Sequence, residues 1–301
     1  MRLSTETNLS PQVTPQSVPA KTPNIWVEAL IRLVKSKTSL IGLTIISLLI
    51  VIAIFAPLVA THSPIEQDMI NRYQAPSGEH WLGTDALGRD IFSRIVYGTR
   101  ISIQVGLIAV GISAIVGILL GGIAGYFGKW PDLIIMRFID IMMAFPSILL
   151  AIAMVAVLGA NLTNTMIAVG IVGIPQFARI VRSTVLSVKE TEYIEAARAI
   201  GAKNNRILFS HVLPNCLAPI IVQATLSVGT AILDAAGLSF LGLGAQPPTP
   251  EWGAMLSDGR AALQSAPWVI MFPGLAIFLV VLGFNLFGDG LRDALDPKLK
   301  Q

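Results

Sequence analysis

Long apolar runs alternate with short polar ones along this chain. Six runs stand out, at residues 40–60, 101–127, 134–158, 165–186, 215–236 and 269–287. A bilayer core about 30 Å thick needs about 20 apolar residues of helix, and each run comes close to that length or exceeds it. The first run, "LIGLTIISLLIVIAIFAPLVA", carries no charge. The second contains "GILLGGIAGYF", in which Gly117, Gly121 and Gly125 recur at the spacing that lets two helices approach closely. The third holds Asp140 and Pro146, and the last turns of the fourth carry Arg179 and Arg182. The pattern predicts an all-α membrane protein with six transmembrane helices.

Composition agrees. Of 301 residues 53% are hydrophobic and 13% charged, against about 25% charged in an ordinary soluble domain. The net charge of +3 is too small to argue for a nucleic-acid partner. The single cysteine, Cys216, rules out an internal disulfide and fits an inner-membrane protein. Residues 1–24, rich in Ser, Thr, Pro and Gln, lack the apolar core of a cleavable signal and read as a disordered cytoplasmic tail. Charge placement sets orientation. With the N-terminus inside, only Arg72, Arg89, Arg94, Arg100 and Arg260 of the 21 Lys and Arg fall outside, as the positive-inside rule demands. Both termini are then cytoplasmic. The chain divides into a cytoplasmic tail (1–38), a first transmembrane helix (39–60), an extracytoplasmic loop (61–100), a five-helix core (101–287) and a cytoplasmic tail (288–301). The core contains a cytoplasmic loop at 189–214.

That loop includes "EAARAIGAKNNRILFSHVLP" at residues 195–214. "SVKE" just before it has capping-box spacing. Residues 192–200 favour helix, with Tyr193, Ala196, Ala197 and Ile200 on one face and Glu195 spaced to pair with Arg198. Gly201 sits where a helix ends in the left-handed conformation. A second short helix is predicted at 203–212, and Pro214 opens the fifth span. The reading is two short helices joined at a glycine. Pattern alone leaves two roles open: a small-residue docking surface, or a loop packed on the chain's own helix ends.

Other candidate chemistry is sparse. Asp140 lies three residues after Arg137, which favours an intrahelical pair over a pore-lining role. Asp234, near the outer end of the fifth span, suits a pathway or gate role and a helix-packing role equally. His80 with Asp85 and Asp90 lacks metal-ligand spacing, and His62, His80 and His211 are too scattered to form one centre. The loop around them reads as a folded cap held by surface ion pairs. "GYFGKW" has Gly-Lys without the upstream glycine or following hydroxyl of a phosphate cradle, so no ATP site is expected in this chain.

The spacing Glu195-Ala196-Ala197, Gly201, Leu213-Pro214 resembles the EAA loop of binding-protein-dependent ABC importers. His211 stands where the general pattern often has isoleucine, and "HVLPN" resembles the dipeptide/oligopeptide subfamily. So do "GTDALGRDIFSRIVYGTRIS", "AGYFGKWPDLIIMRFIDIMMAFP", "GLSFLGLGAQPPTPEWGAML" and "FNLFGDGLRDALDP". Asp234 replaces the glutamate more usual there and keeps its charge. The resemblance runs from about residue 40 to the C-terminus and points to the C-type permease subunit of a peptide, nickel or related importer.

The resemblance implies a type I ABC importer permease core in a prokaryotic inner membrane, without a cofactor. It implies that Glu195, Ala196, Ala197, Gly201, Leu213 and Pro214 belong to a coupling loop seated on a separate ATPase. The implied partners are a second permease subunit of similar fold, two ATP-binding cassette subunits and an extracytoplasmic solute-binding protein. The last would dock on residues 61–100 and 243–266. Di- or oligopeptides are the implied cargo, with nickel or another small solute as the alternative. A secondary transporter is the main rival class, but no convincing internal repeat supports it. A membrane enzyme is the next, and His-Glu-x-x-His and Gly-x-Ser-x-Gly are both absent. A membrane scaffold is the third.

Overall fold

The computed structural model describes residues 25–295. The predicted tail at 1–24 and the last residues, 296–301, lie outside them. Nearly all of the described chain is helical, and its lone β-bridge joins Thr84 to Asp90.

Helices α1 (Ile25–Lys35), α2 (Lys37–Ile54) and α3 (Ala56–Val59) come first. After the cap segment come α4 (Ile91–Phe127), α5 (Lys129–Met143), α6 (Ser147–Leu158) and α7 (Leu162–Val188). Helices α8 (Glu192–Ala199) and α9 (Asn204–Ile207) form the insert, which leads through a π turn and a 3-10 turn into α10 (Leu217–Phe240). Helices α11 (Trp252–Gly259) and α12 (Trp268–Leu295) close the chain.

Five helical stretches are long and apolar enough to cross a membrane, and a sixth if α5 and α6 count as one bent span. The predicted third span is therefore not a continuous helix: α5 and α6 meet at 92°. The cause is local. Pro146 has no N–H to donate to the carbonyl one turn back, and its ring drives Phe145 out of helical geometry. The second span is longer than the pattern suggested. It begins at Ile91, because the buried Asp90 carboxylate accepts from the Ser93 N–H at 2.8 Å and caps the helix there.

Helices α4 and α7 form the central pair. A Cβ at Gly121 would lie 2.3 Å from the Ala178 carbonyl oxygen, and one at Gly117 2.4 Å from the Phe177 Cβ. Only glycine lets the two backbones sit this close, which is how small residues drive packing where lipid offers no hydrophobic gain. Ser113 of α4 also donates to the Gly170 carbonyl of α7 at 2.6 Å. The main apolar core gathers around this pair with α10, α11 and α12. Helix α2 packs on α12. Leu33 of α1 packs beside Ala294 at the end of α12.

Candidate functional site

The insert is built outward from α7. That helix continues through Ser187 and Val188 and is closed by Lys189. The predicted capping box in "SVKE" therefore does not form, because Ser187 is still inside α7. The cap residue of α8 is Thr191, whose hydroxyl turns back to the Val188 carbonyl at 2.6 Å. Glu192 and Glu195 occupy the first turn of α8 and Arg198 the last, which complements the helix dipole.

Helix α8 ends as predicted. Gly201 has φ +81°, its N–H donates to the Arg198 carbonyl, and the Ala202 N–H reaches back to the Ala197 carbonyl at 3.1 Å. These paired bonds, with Ala197 and Ala202 both on the local apolar cluster, form a Schellman ending. The second predicted helix is shorter than 203–212. Only Asn204–Ile207 is α-helical, before the π turn at Leu208–Val212. Pro214 falls in the 3-10 turn Leu213–Cys216, and α10 starts at Leu217.

The insert has two faces. Ile194, Ile207, Leu208 and Val212 are buried against Val181 and Val185 of α7 and Ile220 of α10. Each such side chain contributes about 1.5–3 kcal/mol relative to exposure, so the insert is fastened to the helices that flank it. The other face is open. Tyr193 is 46% exposed, Phe209 52% and Ile200 87%. Glu195 and Ala196 are also exposed, Ala197 and Leu213 half-buried, and Pro214 exposed. Glu195 forms no ion pair with Arg198. Instead the Arg198 guanidinium lies 5.8 Å from the Tyr126 ring centre.

Three contacts were invisible in the sequence pattern. Tyr126, at the end of α4, donates its hydroxyl to Asn204 Oδ1 at 3.1 Å. Arg182 grips Asp132 of α5 with two bonds of 2.5 and 2.6 Å. Lys189 Nζ donates to the Gly125 carbonyl at 3.0 Å. Each joins residues more than 45 positions apart, beyond the reach of periodicity. The inward side of α8 differs from the face read in the sequence: Ile194 is buried with Ala197 packed beside it, while Tyr193, Ala196 and Ile200 face outward.

Asp140 does not pair with Arg137. It binds Arg179 of α7 at 2.6 Å, and both side chains are about half exposed. Helix α7 runs beside α5 and carries Arg179 and Arg182 to Asp140 and Asp132. Asp234 lines a cavity of about 180 Å³ whose wall is part polar (Ser113, Ser147, Gln176, Ser227, Thr230) and part apolar (Val110, Val169, Val172, Phe177). Among the described residues it makes no ion pair or hydrogen bond.

The cap is more deeply locked than surface pairs would make it. Asp85 and Arg89 are buried and bonded at 2.6 Å, and Arg89 also reaches Asp258 at 3.2 Å. That second bond joins the two segments expected to form the outer docking surface. Trp252, fully buried, donates its indole N–H to the Ile95 carbonyl at 3.1 Å. The histidines are not all scattered. His62 and His80 stack with ring centres 4.7 Å apart, while His211 sits in the insert.

Residues 117–301 match the family described as the inner membrane component of binding-protein-dependent transport systems. Residues 24–76 match the N-terminal transmembrane domain of oligopeptide transport permease C. The chain belongs to this permease family. A dipeptide transport system permease protein of Alkalihalophilus pseudofirmus is 62% identical over 91% of this chain and 90% of its own length. A glutathione transport system permease protein of Escherichia coli is 51% identical over 97% of this chain and 96% of its own length. A methionine ABC transporter, solved in inward-facing conformations, shares the fold at TM-score 0.56 and 19% identity, over 68% of this chain and 98% of that one.

The protein is thus a multi-pass inner-membrane permease of an ABC importer. The polar groups around Asp234 sit among helices α4, α6, α7 and α10.

Proposed function

We propose that this permease carries short peptides and forms one half of their route, with the insert at Glu192–Pro214 as the seat of a separate ATPase. The observation that carries the coupling role is the two-faced insert. Its inner side is bonded to α4, α7 and α10, and its outer side leaves Tyr193, Ala196, Ile200 and Phe209 open. A force applied to the open side reaches three membrane helices through these contacts.

The insert then faces the cytoplasm, as do both termini, in keeping with the distribution of Lys and Arg. The working assembly contains a second permease subunit, two ATP-binding cassette subunits and a solute-binding protein on the outer cap. Short peptides are favoured as cargo because the curated relatives named above are a dipeptide and a glutathione permease, and glutathione is itself a small peptide.

Ile200→Cys gives a direct test. The lone native thiol, Cys216, is buried and does not compete. Cross-linking of the variant to the ATPase subunit in the assembled importer, lost when ATP-driven closure is blocked or altered with nucleotide state, supports the seat. A cross-link only to the solute-binding protein overturns it.

A further inference from the structure

The segment between α3 and α4 folds three metal-binding side chains into one cleft. His62 follows α3, while Glu79 and His80 lie on the loop before α4. One ligand atom from each lies within 4.8 Å of the others. The cleft holds about 260 Å³, and Glu66 and Asp68 also line it.

The arrangement around the histidines is specific. His80 Nδ1 lies 2.9 Å from Asp90 Oδ1, and Asp90 is buried. His62 turns its Nδ1 to the same carboxylate, 3.9 Å from Oδ2, and to Thr61 Oγ1 at 3.0 Å. Its backbone N–H is held by Ser93 Oγ at 2.9 Å. With Nδ1 of each ring engaged inward, Nε2 is the nitrogen left for a ligand. A carboxylate behind a histidine fixes the tautomer and raises ligand basicity, as in known carboxylate–histidine–metal triads. Asp90 is itself fixed by capping α4.

We propose that His62, Glu79 and His80 bind a divalent cation of the zinc class, with water completing the coordination. Two imidazoles and a carboxylate match that borderline ion and not magnesium or calcium, which prefer all-oxygen shells. Ligands about 2.0–2.1 Å from zinc lie roughly 3.3 Å apart, so binding draws together groups that now lie within 4.8 Å of one another. Glu79 is exposed and supplies most of that movement, while the histidines stay on Asp90 and Thr61. The bound ion would staple the chain leaving α3 to the loop that feeds the capped start of α4.

Full-length chain carrying a histidine-free purification tag, stripped of metal in detergent, is dialysed against Zn²⁺ alone. The chain has only three histidines, so background binding is low. One zinc per chain is expected, with a rise in melting temperature. His62→Ala and Glu79→Gln should each weaken binding at least tenfold and remove that rise, while His211→Ala leaves both unchanged. Glu79 is exposed, so metal-free Glu79→Gln should melt where the native chain does, and His62→Ala, which also gives up contacts to Thr61 and Asp90, is compared with its own metal-free form. Cobalt in place of zinc should give the visible absorption of a four- or five-coordinate nitrogen–oxygen site. Failure to retain stoichiometric zinc overturns the proposal, as does binding that survives the His62→Ala/Glu79→Gln double variant.

Discussion

Tyr126 at the end of α4 donates its hydroxyl to Asn204 of the insert at 3.1 Å, while Arg198 rests over its ring. One side chain of the central helix pair thus supports both short helices of the insert. Tyr126→Phe removes only the hydrogen bond and should cost about 1 kcal/mol of local stability. Tyr126→Ala also empties a place in the apolar cluster and should cost about 3 kcal/mol. Amide hydrogen exchange over residues 192–212 reads the difference. Equal protection in all three proteins would remove Tyr126 from its supporting role.

Gly201 is constrained by backbone conformation and not by space. A Cβ there meets nothing within 4 Å, yet φ is +81°. Left-handed geometry costs an ordinary residue about 1–2 kcal/mol, and asparagine less. Gly201→Asn should therefore keep most peptide uptake, and Gly201→Val should lose most of it. Uptake by cells expressing each variant, with ATPase co-purification as the assembly control, gives the ranking. Equal uptake by the two variants would show that the left-handed turn is dispensable.

Two glycines of α4 should behave in opposite ways. At Gly121 an added methyl would meet the Ala178 carbonyl oxygen, whereas at Gly111 it meets nothing within 4 Å. Gly121→Ala should destabilise the chain by about 1–3 kcal/mol through overpacking. Gly111→Ala should stabilise it by about 0.5–1 kcal/mol, the usual helix gain. Thermal melting in detergent distinguishes them, and a stabilising Gly121→Ala would contradict the close α4–α7 approach.

Asp234 bears on the proposed route. It lines a cavity whose wall mixes serine, threonine and glutamine with valine and phenylalanine. Asp234→Asn should lower the rate of dipeptide uptake several-fold without changing assembly, and Asp234→Glu should restore most of it. If asparagine transports as well as aspartate, the charge plays no part in the route.

Glu251 caps α11 by accepting from the Gly253 and Ala254 N–H groups at 2.9 and 2.8 Å. Burial raises its carboxyl above the ordinary glutamate value, against the lowering effect of those bonds. The folded state therefore holds its proton to higher pH than the unfolded chain. That contribution to stability is full below the unfolded value and is lost as pH rises through the folded one. Relative to Glu251→Gln, which has no such titration, the native chain should lose stability as pH climbs through that window. Melting curves of the two proteins across that window check the sign, and parallel curves would refute it.

Several features were fixed by sequence alone because they depend on neighbours along one helix. Apolar run length marked out the spans, and glycine spacing marked the face of α4 that α7 approaches. Gly201 announced its own left-handed turn. Glu195, Ala196 and Ala197 were placed on a short helix by local propensity. The break at Pro146 was also written in the chain, although hydropathy averaged over it.

Tertiary structure decided what depends on residues distant in the chain. It gave Asp140 to Arg179 and not to Arg137, because α7 lies alongside α5. It packed one side of the insert on its own helix ends and left the other side open. It brought His62 to His80 across the cap and buried Arg89 between Asp85 and Asp258. Periodicity records which face of a helix is apolar. Only the packing of one helix on another determines which partner that face, or a charge beside it, finally meets.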